Sequence, residues 1–153
     1  MSPTVIGFIR TSLVSLAVGV VLGVLIALGV FSGAAHPGLV TSAHAHVNLL
    51  GAVMMLIFGV GYHILPRFSG RPLYSEAIAR VQLWLGIAGL AGMFVMFFAG
   101  GYSSADFLRY GVAPFGALYG AAAVLFVYNM WRTLAGAAAA PAPLRPAGKP
   151  PAK

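Results

Sequence analysis

Four long apolar stretches, each able to cross a lipid bilayer, constrain this chain more than any other feature. They run over about residues 5–31, 44–65, 78–99 and 107–131. Each reaches the roughly 20 apolar residues that a helix needs to span the hydrocarbon core. Lipid offers backbone amides no partner, so the stretches are expected to be helices. Of the 153 residues, 60% are hydrophobic and 7% charged, too few charges to cover a water-exposed surface. The expected fold is an all-α membrane protein. It has one four-helix transmembrane domain over residues 1–132 and a disordered Ala/Pro-rich tail over residues 133–153.

Turn-forming residues separate the stretches. Ser32, Gly33, Pro37 and Gly38 follow the first, and Pro66, Gly70 and Pro72 follow the second. Gly100, Gly101, Ser103 and Ser104 follow the third. Thr41 or Ser42 suits the cap of helix two, and Glu76 suits the first turn of helix three. Small residues recur at helix-packing spacing, as in Gly19/Gly23, Gly29/Gly33 and Gly116/Gly120, together with Gly86, Gly89 and Gly92.

Basic residues set the expected orientation. Arg10 lies near the start, Arg67, Arg71 and Arg80 surround loop two, and Arg132, Arg145, Lys149 and Lys153 follow the last span. Loop one has none, and loop three is flanked only by Asp106 and Arg109. The excess of positive charge on the inner side therefore places both termini and loop two in the cytoplasm. The first apolar run exceeds the roughly 7–15 residues of a signal-peptide core and is read as a retained helix. The net charge of +7 reports orientation rather than nucleic-acid binding, because no basic face interleaved with aromatics exists. Absence of cysteine excludes disulfides, thiolate ligands and iron–sulfur clusters.

The histidines carry the chemical content. His44 and His46 open helix two at its outer end, His63 lies near the inner end, and His36 sits in loop one. Residues two apart on a helix point about 200° apart, so the pair faces opposite flanks. His63 is about 28 Å further along the axis and cannot share their site within one chain. His44 shares a stripe with Asn48, Gly51, Met55 and Tyr62, and His46 shares one with Leu50, Val53, Ile57 and Ile64. The missing side chain at Gly51 leaves room for a flat group against the helix. A histidine at a membrane rim is often simply solvated. A pair there also fits ligation, because intramembrane ionisable residues are costly and rare. Haem suits two neutral imidazoles, whereas zinc or copper needs about four ligands gathered from several chains.

The run Ser42-Ala43-His44-Ala45-His46-Val47-Asn48-Leu49-Leu50-Gly51, continuing to Tyr62-His63-Ile64-Leu65-Pro66-Arg67, resembles the haem-copper oxidase superfamily. It is similar to the histidine-bearing helices of the catalytic subunit, and His46-Val47-Asn48 resembles the His-x-Asn of the C-type branch. The similarity is carried by about Ser42 to Pro72; the other helices agree in hydropathy and order. That catalytic subunit has twelve helices in three arcs of four, with haem histidines on the second helix of an arc. This chain resembles one arc.

The resemblance implies a homotrimer that rebuilds the ring, in the bacterial-type inner (plasma) membrane, with a dimer as the other way to pair the histidines. It further implies one haem b per subunit at the subunit interfaces. His44 of one chain and His46 of the next would be its axial ligands, with Asn48 and Gly51 in the cofactor-binding set. Arg109 would pair with a haem propionate, the competing reading being a surface ion pair with Asp106. The sequence shows no evident copper site and no acidic residue midway along a span, which argues against independent oxidase activity. The implied function is a b-type cytochrome exchanging electrons with an unidentified redox partner. Two alternatives stand beside it: a haem-based oxygen- or nitric oxide-reactive enzyme or sensor, and a haem-free membrane scaffold or accessory subunit.

Overall fold

The computed structural model describes residues 1–138, without the side chains of Arg109 and of residues 136–138. The remainder of the expected tail lies outside the described residues. Four membrane-length helices make up this part: α1 (Pro3–Ala27), α2 (Pro37–Phe68), α3 (Glu76–Gly100) and α4 (Asp106–Ala138). Among the described residues all regular structure is helical. The last helix runs past Arg132, where the tail was expected to begin, through a segment that contains the good helix formers Leu134, Ala135, Ala137 and Ala138.

Helix ends follow local chemistry. Pro3 takes the first position of α1, and the Ser2 hydroxyl accepts the Val5 N–H at 3.4 Å. The helix stops before Phe31 because the chain turns at Gly29, whose φ of +72° lies in the left-handed region. Glu76 occupies the first turn of α3, behind a Ser75 cap that accepts the Ile78 N–H at 3.2 Å.

Helix two departs most from expectation. It begins at Pro37, not at His44, because proline's missing N–H costs nothing in a first turn. Thr41 and Ser42 therefore do not cap it. Their hydroxyls bond to the carbonyls of Pro37 and Gly38, at 3.3 and 3.0 Å, one turn back inside the helix. His44 and His46 consequently lie about 10 Å or more into the helix rather than at its opening. Pro66 does not end the helix either. It falls in the last turn, where one lost backbone bond is tolerated, and α2 continues to Phe68.

Midway along α2, Val47–Met54 form a π-helix. This wider spiral weakens the regular ladder, and two neighbours bond to its carbonyls. Ser12 Oγ of α1 donates to the Ala52 carbonyl at 2.6 Å, and the Tyr119 hydroxyl of α4 donates to the Leu50 carbonyl at 2.7 Å.

The core sits where α2 meets its neighbours, around Phe8, Met55, Phe58, Tyr62, Leu83 and Met93. α3 and α4 pack most extensively, while α1 and α4 lie on opposite sides of the α2–α3 pair with almost no mutual contact. Gly89 permits the closest approach, since a Cβ there would lie 2.8 Å from both the Phe115 carbonyl and the Tyr119 nitrogen. Gly29, Gly33 and Gly120 face open space instead, so their spacing does not mark helix contact. Large apolar side chains such as Val14, Val21, Val95 and Val124 are exposed, as a lipid-facing or subunit-facing surface requires.

Candidate functional site

His44 and His46 leave α2 in different directions, as their two-residue spacing predicts. His44 turns toward α1. Its Cε1 lies 2.8 Å from where a Cβ of Gly23 would stand, so the ring occupies the space that this glycine leaves. Asn48, one turn further along, fills the corresponding space at Gly19. The two α1 glycines, read from sequence only as packing residues, are thus the seats for His44 and Asn48. Their four-residue spacing matches that of His44 and Asn48, and this was the signal available in the sequence.

His46 turns toward α3, where its ring packs against Phe97 with centroids 4.7 Å apart and planes inclined at 40°. Its Nδ1 lies 2.8 Å from the Ser42 carbonyl, one turn back. A carbonyl only accepts, so Nδ1 carries the proton and donates. That fixes the tautomer and leaves the Nε2 lone pair free to ligate. Both Phe97 and the Ser42 carbonyl escaped sequence reading, the first because it lies on another helix, the second because it is backbone.

The two imidazoles are not equivalent. Asn48 Nδ2 donates to the His44 carbonyl at 2.9 Å and lies 3.3 Å from His44 Nδ1. In this arrangement Asn48 competes for the His44 ring, whereas His46 has a backbone anchor and an uncommitted second nitrogen. Both rings are half-buried.

Gly51 does not leave a landing place for a flat group. It is buried against α1 and α3: a Cβ there would meet Ser15 Oγ at 2.5 Å and Leu90 Cδ2 at 3.0 Å. Gly51 continues the stripe of His44 and Asn48, and that stripe packs on α1, meeting Gly23, Gly19 and Ser15 in turn, so Gly51 faces the protein interior and not an open surface. The side chain of Arg109 lies outside the described residues; its backbone belongs to the first turn of α4.

The other histidines are engaged elsewhere. His36 is the residue before α2, and its Nε2 lies 2.9 Å from Ser104 Oγ, while its N–H donates to the Gly101 carbonyl at 2.9 Å. It ties loop one to loop three. His63 meets Arg67, whose Nη1 donates to the His63 carbonyl at 2.8 Å and lies 2.6 Å from both ring nitrogens. A guanidinium in that position opposes binding of a metal cation by His63. Among the described residues no three His, Cys, Asp or Glu side chains gather within one chain. A cavity of about 550 Å³ opens near the loop-one end, lined in part by Leu39, Phe97, Ser104 and Asp106. Leu39 lies two turns before His46 on the same face of α2, so the cavity continues outward from the His46 flank.

Residues 1–138 match the family Cytochrome C and Quinol oxidase polypeptide I. The chain is also similar to the cbb3-type cytochrome c oxidase subunit CcoN1 of Stutzerimonas stutzeri, with 26% identity over 157 residues. That alignment covers 87% of this chain and 33% of the relative, so the chain spans about a third of the relative's length. The match extends over all four described helices, well beyond the histidine-bearing segment. This four-helix membrane protein therefore belongs to the Cytochrome C and Quinol oxidase polypeptide I family.

Proposed function

We propose that the protein is a b-type cytochrome of the bacterial plasma membrane, holding haem b between subunits of a homo-oligomer through His44 and His46 and serving electron transfer. The observation that carries this reading is the hydrogen bond from His46 Nδ1 to the Ser42 carbonyl, which presents Nε2 as a ligand. Membership of an oxidase polypeptide I family supports it, as do the opposite directions of the two rings. Rings on opposite flanks of one helix cannot meet on one iron within a chain. A neighbouring copy supplies the second ligand, and three copies of a four-helix unit close a ring under cyclic symmetry.

When bound, haem supplies a one-electron iron couple. The chain's own residues position it. The Ser42 carbonyl orients His46, and Phe97 restricts its ring rotation. Apolar residues of the exposed helix faces exclude water, which tunes the potential. Arg109, at the loop-three end of α4, is the proposed partner of a propionate. His44 and His46 would both be taken up in holding the haem, which would suit it to electron exchange rather than substrate binding.

The experiment is an absorption spectrum of the purified oligomer, oxidised and reduced, for wild type, His44→Ala and His46→Ala. A low-spin bis-histidine spectrum that is lost in both variants is expected. Full haem retention in either variant refutes the pairing, and a colourless protein after expression with ample haem favours the scaffold reading. A second reading rests on the contact between Asn48 and His44. A His44 ring engaged by a neighbouring amide would be the weaker of the two holds on the haem, and its release would leave room for oxygen or nitric oxide. A large Soret shift when carbon monoxide meets the reduced protein supports that sensor or enzyme reading.

A further inference from the structure

We infer that the loop-two end of the bundle binds the phosphate headgroup of an anionic phospholipid between Arg71 and Arg132. A cavity of about 400 Å³ opens there between loop two and the end of α4. Both arginines line it, with Pro72, Tyr74, Thr133 and Ala135. Basic cavities between transmembrane helices at the membrane boundary are suited to anionic headgroups.

The site is built rather than accidental. Loop two is pinned to α4 by a set of hydrogen bonds. The Tyr74 N–H donates to Thr133 Oγ1 at 3.1 Å, and Thr133 Oγ1 donates to the Asn129 carbonyl at 2.8 Å. Asn129 brackets Ser75, accepting its N–H at 3.1 Å and donating to its carbonyl at 2.8 Å. Asn129 is fully buried, so these bonds are shielded from water. They fix Arg71 and Pro72 relative to Arg132. The Arg132 guanidinium is held 4.6 Å over the Tyr74 ring and donates to the Tyr128 hydroxyl at 3.3 Å.

Charge then selects the ligand. The chain has nine basic and two acidic residues. The acids are Glu76 and Asp106, and neither lines this cavity. Asp106 begins α4 and lies at the opposite end of the helix from Arg132. Arg71 also borders a neighbouring cavity that includes Glu76, but among the described residues the cavity it shares with Arg132 contains no carboxylate, and two guanidiniums there suit an external anion. The neighbouring surface favours a lipid over a free phosphate. Tyr128 and Val124, four and eight residues before Arg132, are exposed on the same side of α4 and run from the cavity toward the bilayer centre. They form a track for acyl chains beneath the headgroup.

The test uses the purified full chain in neutral detergent with phosphatidylglycerol, phosphatidylcholine or inorganic phosphate added. Lipid retained per chain is read by native mass spectrometry, and stability by thermal unfolding. Phosphatidylglycerol should be retained and should raise the unfolding temperature more than phosphatidylcholine does. Arg71→Gln and Arg132→Gln should each weaken that retention by about fivefold, the worth of one basic side chain at an anionic membrane surface. Arg80→Gln, an equal loss of charge outside the cavity, should leave it unchanged. Equal weakening by Arg80→Gln, equal retention of the two lipids, or the same stabilisation by inorganic phosphate overturns the site. A measurement on the unaltered protein guards against misfolded variants: phosphatidylglycerol retention should fall as salt rises, and insensitivity to salt counts against the arginines.

Discussion

The imidazole of His44 fills the space that a side chain at Gly23 would need. One turn away, Asn48 does the same at Gly19, so two small residues of α1 set where two polar residues of α2 can rest. The candidate site is therefore shaped by a helix that contributes no ligand to it.

A methyl group at either glycine should disturb that arrangement. Gly23→Ala and Gly19→Ala are expected to destabilise by about 1–3 kcal/mol through overpacking, partly offset by better helix propensity. Gly120→Ala is the control, because nothing lies within 4 Å of a Cβ there. It should be neutral or stabilise by up to about 1 kcal/mol. Thermal unfolding of the three variants separates the cases, and haem content should fall only in the first two. If Gly23→Ala behaves like Gly120→Ala, His44 is not seated against α1.

The π-helical stretch depends on outside partners. Tyr119→Phe removes the donor to the Leu50 carbonyl, and Ser12→Ala removes the donor to the Ala52 carbonyl. Each should cost about 1–2 kcal/mol, the range for a buried group left unpaired in a membrane protein. Hydrogen exchange over Val47–Met54 should quicken in both variants, while exchange in α3 stays slow. Unchanged exchange over that stretch argues that the two bonds do not hold it.

A buried polar cluster lies nearer loop two. The Tyr62 hydroxyl donates to Gln82 Oε1 and accepts from Asn129 Nδ2 at 3.4 Å, while Gln82 Nε2 has no partner. Tyr62→Phe strands the Gln82 oxygen and one of the two Asn129 amide N–H groups, the other keeping the Ser75 carbonyl, and should cost about 1–3 kcal/mol. Gln82→Leu removes an orphaned donor and leaves Tyr62 its bond with Asn129, so it should cost less. The double variant should be less unstable than the sum of the two, by about 1 kcal/mol in a double-mutant cycle. Strict additivity in chemical unfolding would show that the pair is uncoupled.

Phe97 offers a test specific to His46. Phe97→Leu keeps an apolar side chain but removes the ring that packs on the imidazole. Stability should fall by about 1 kcal/mol, since leucine is smaller and leaves part of the ring's half-buried space unfilled. The spectrum of bound haem should broaden or shift as the ligand gains rotational freedom. An identical spectrum would mean that the Ser42 carbonyl alone orients the ring.

The four helices were legible because their signal is compositional: a run of apolar residues long enough to span a membrane needs no tertiary information. The divergence of His44 and His46 was legible for a similar reason, since helical geometry fixes it locally. The start of α2 was misread because Thr41 and Ser42 are good caps in general, and the stronger signal was Pro37. The open space expected at Gly51 is filled because the stripe it shares with His44 and Asn48 packs on α1, and only the tertiary arrangement brings α1 there. Phe97, Ser15 and Leu90 could not be assigned to the site from sequence, because their roles arise only when α1 and α3 come to rest against α2.

The π-helical turn gives α2 an unusual tolerance. In an ordinary helix, loss of one residue swings everything beyond it by about 100°. Within Val47–Met54 the same loss could be absorbed by tightening the coil, because a π-turn accommodates a surplus residue between α-helical flanks. Shortening this stretch should leave His44 still pointing at α1 and His46 at α3. Shortening the α-helical turn just before it, between Val40 and Ala43, should reset the rotational bearing of Pro37, the start of the chain's re-entry into the bundle, against both imidazoles.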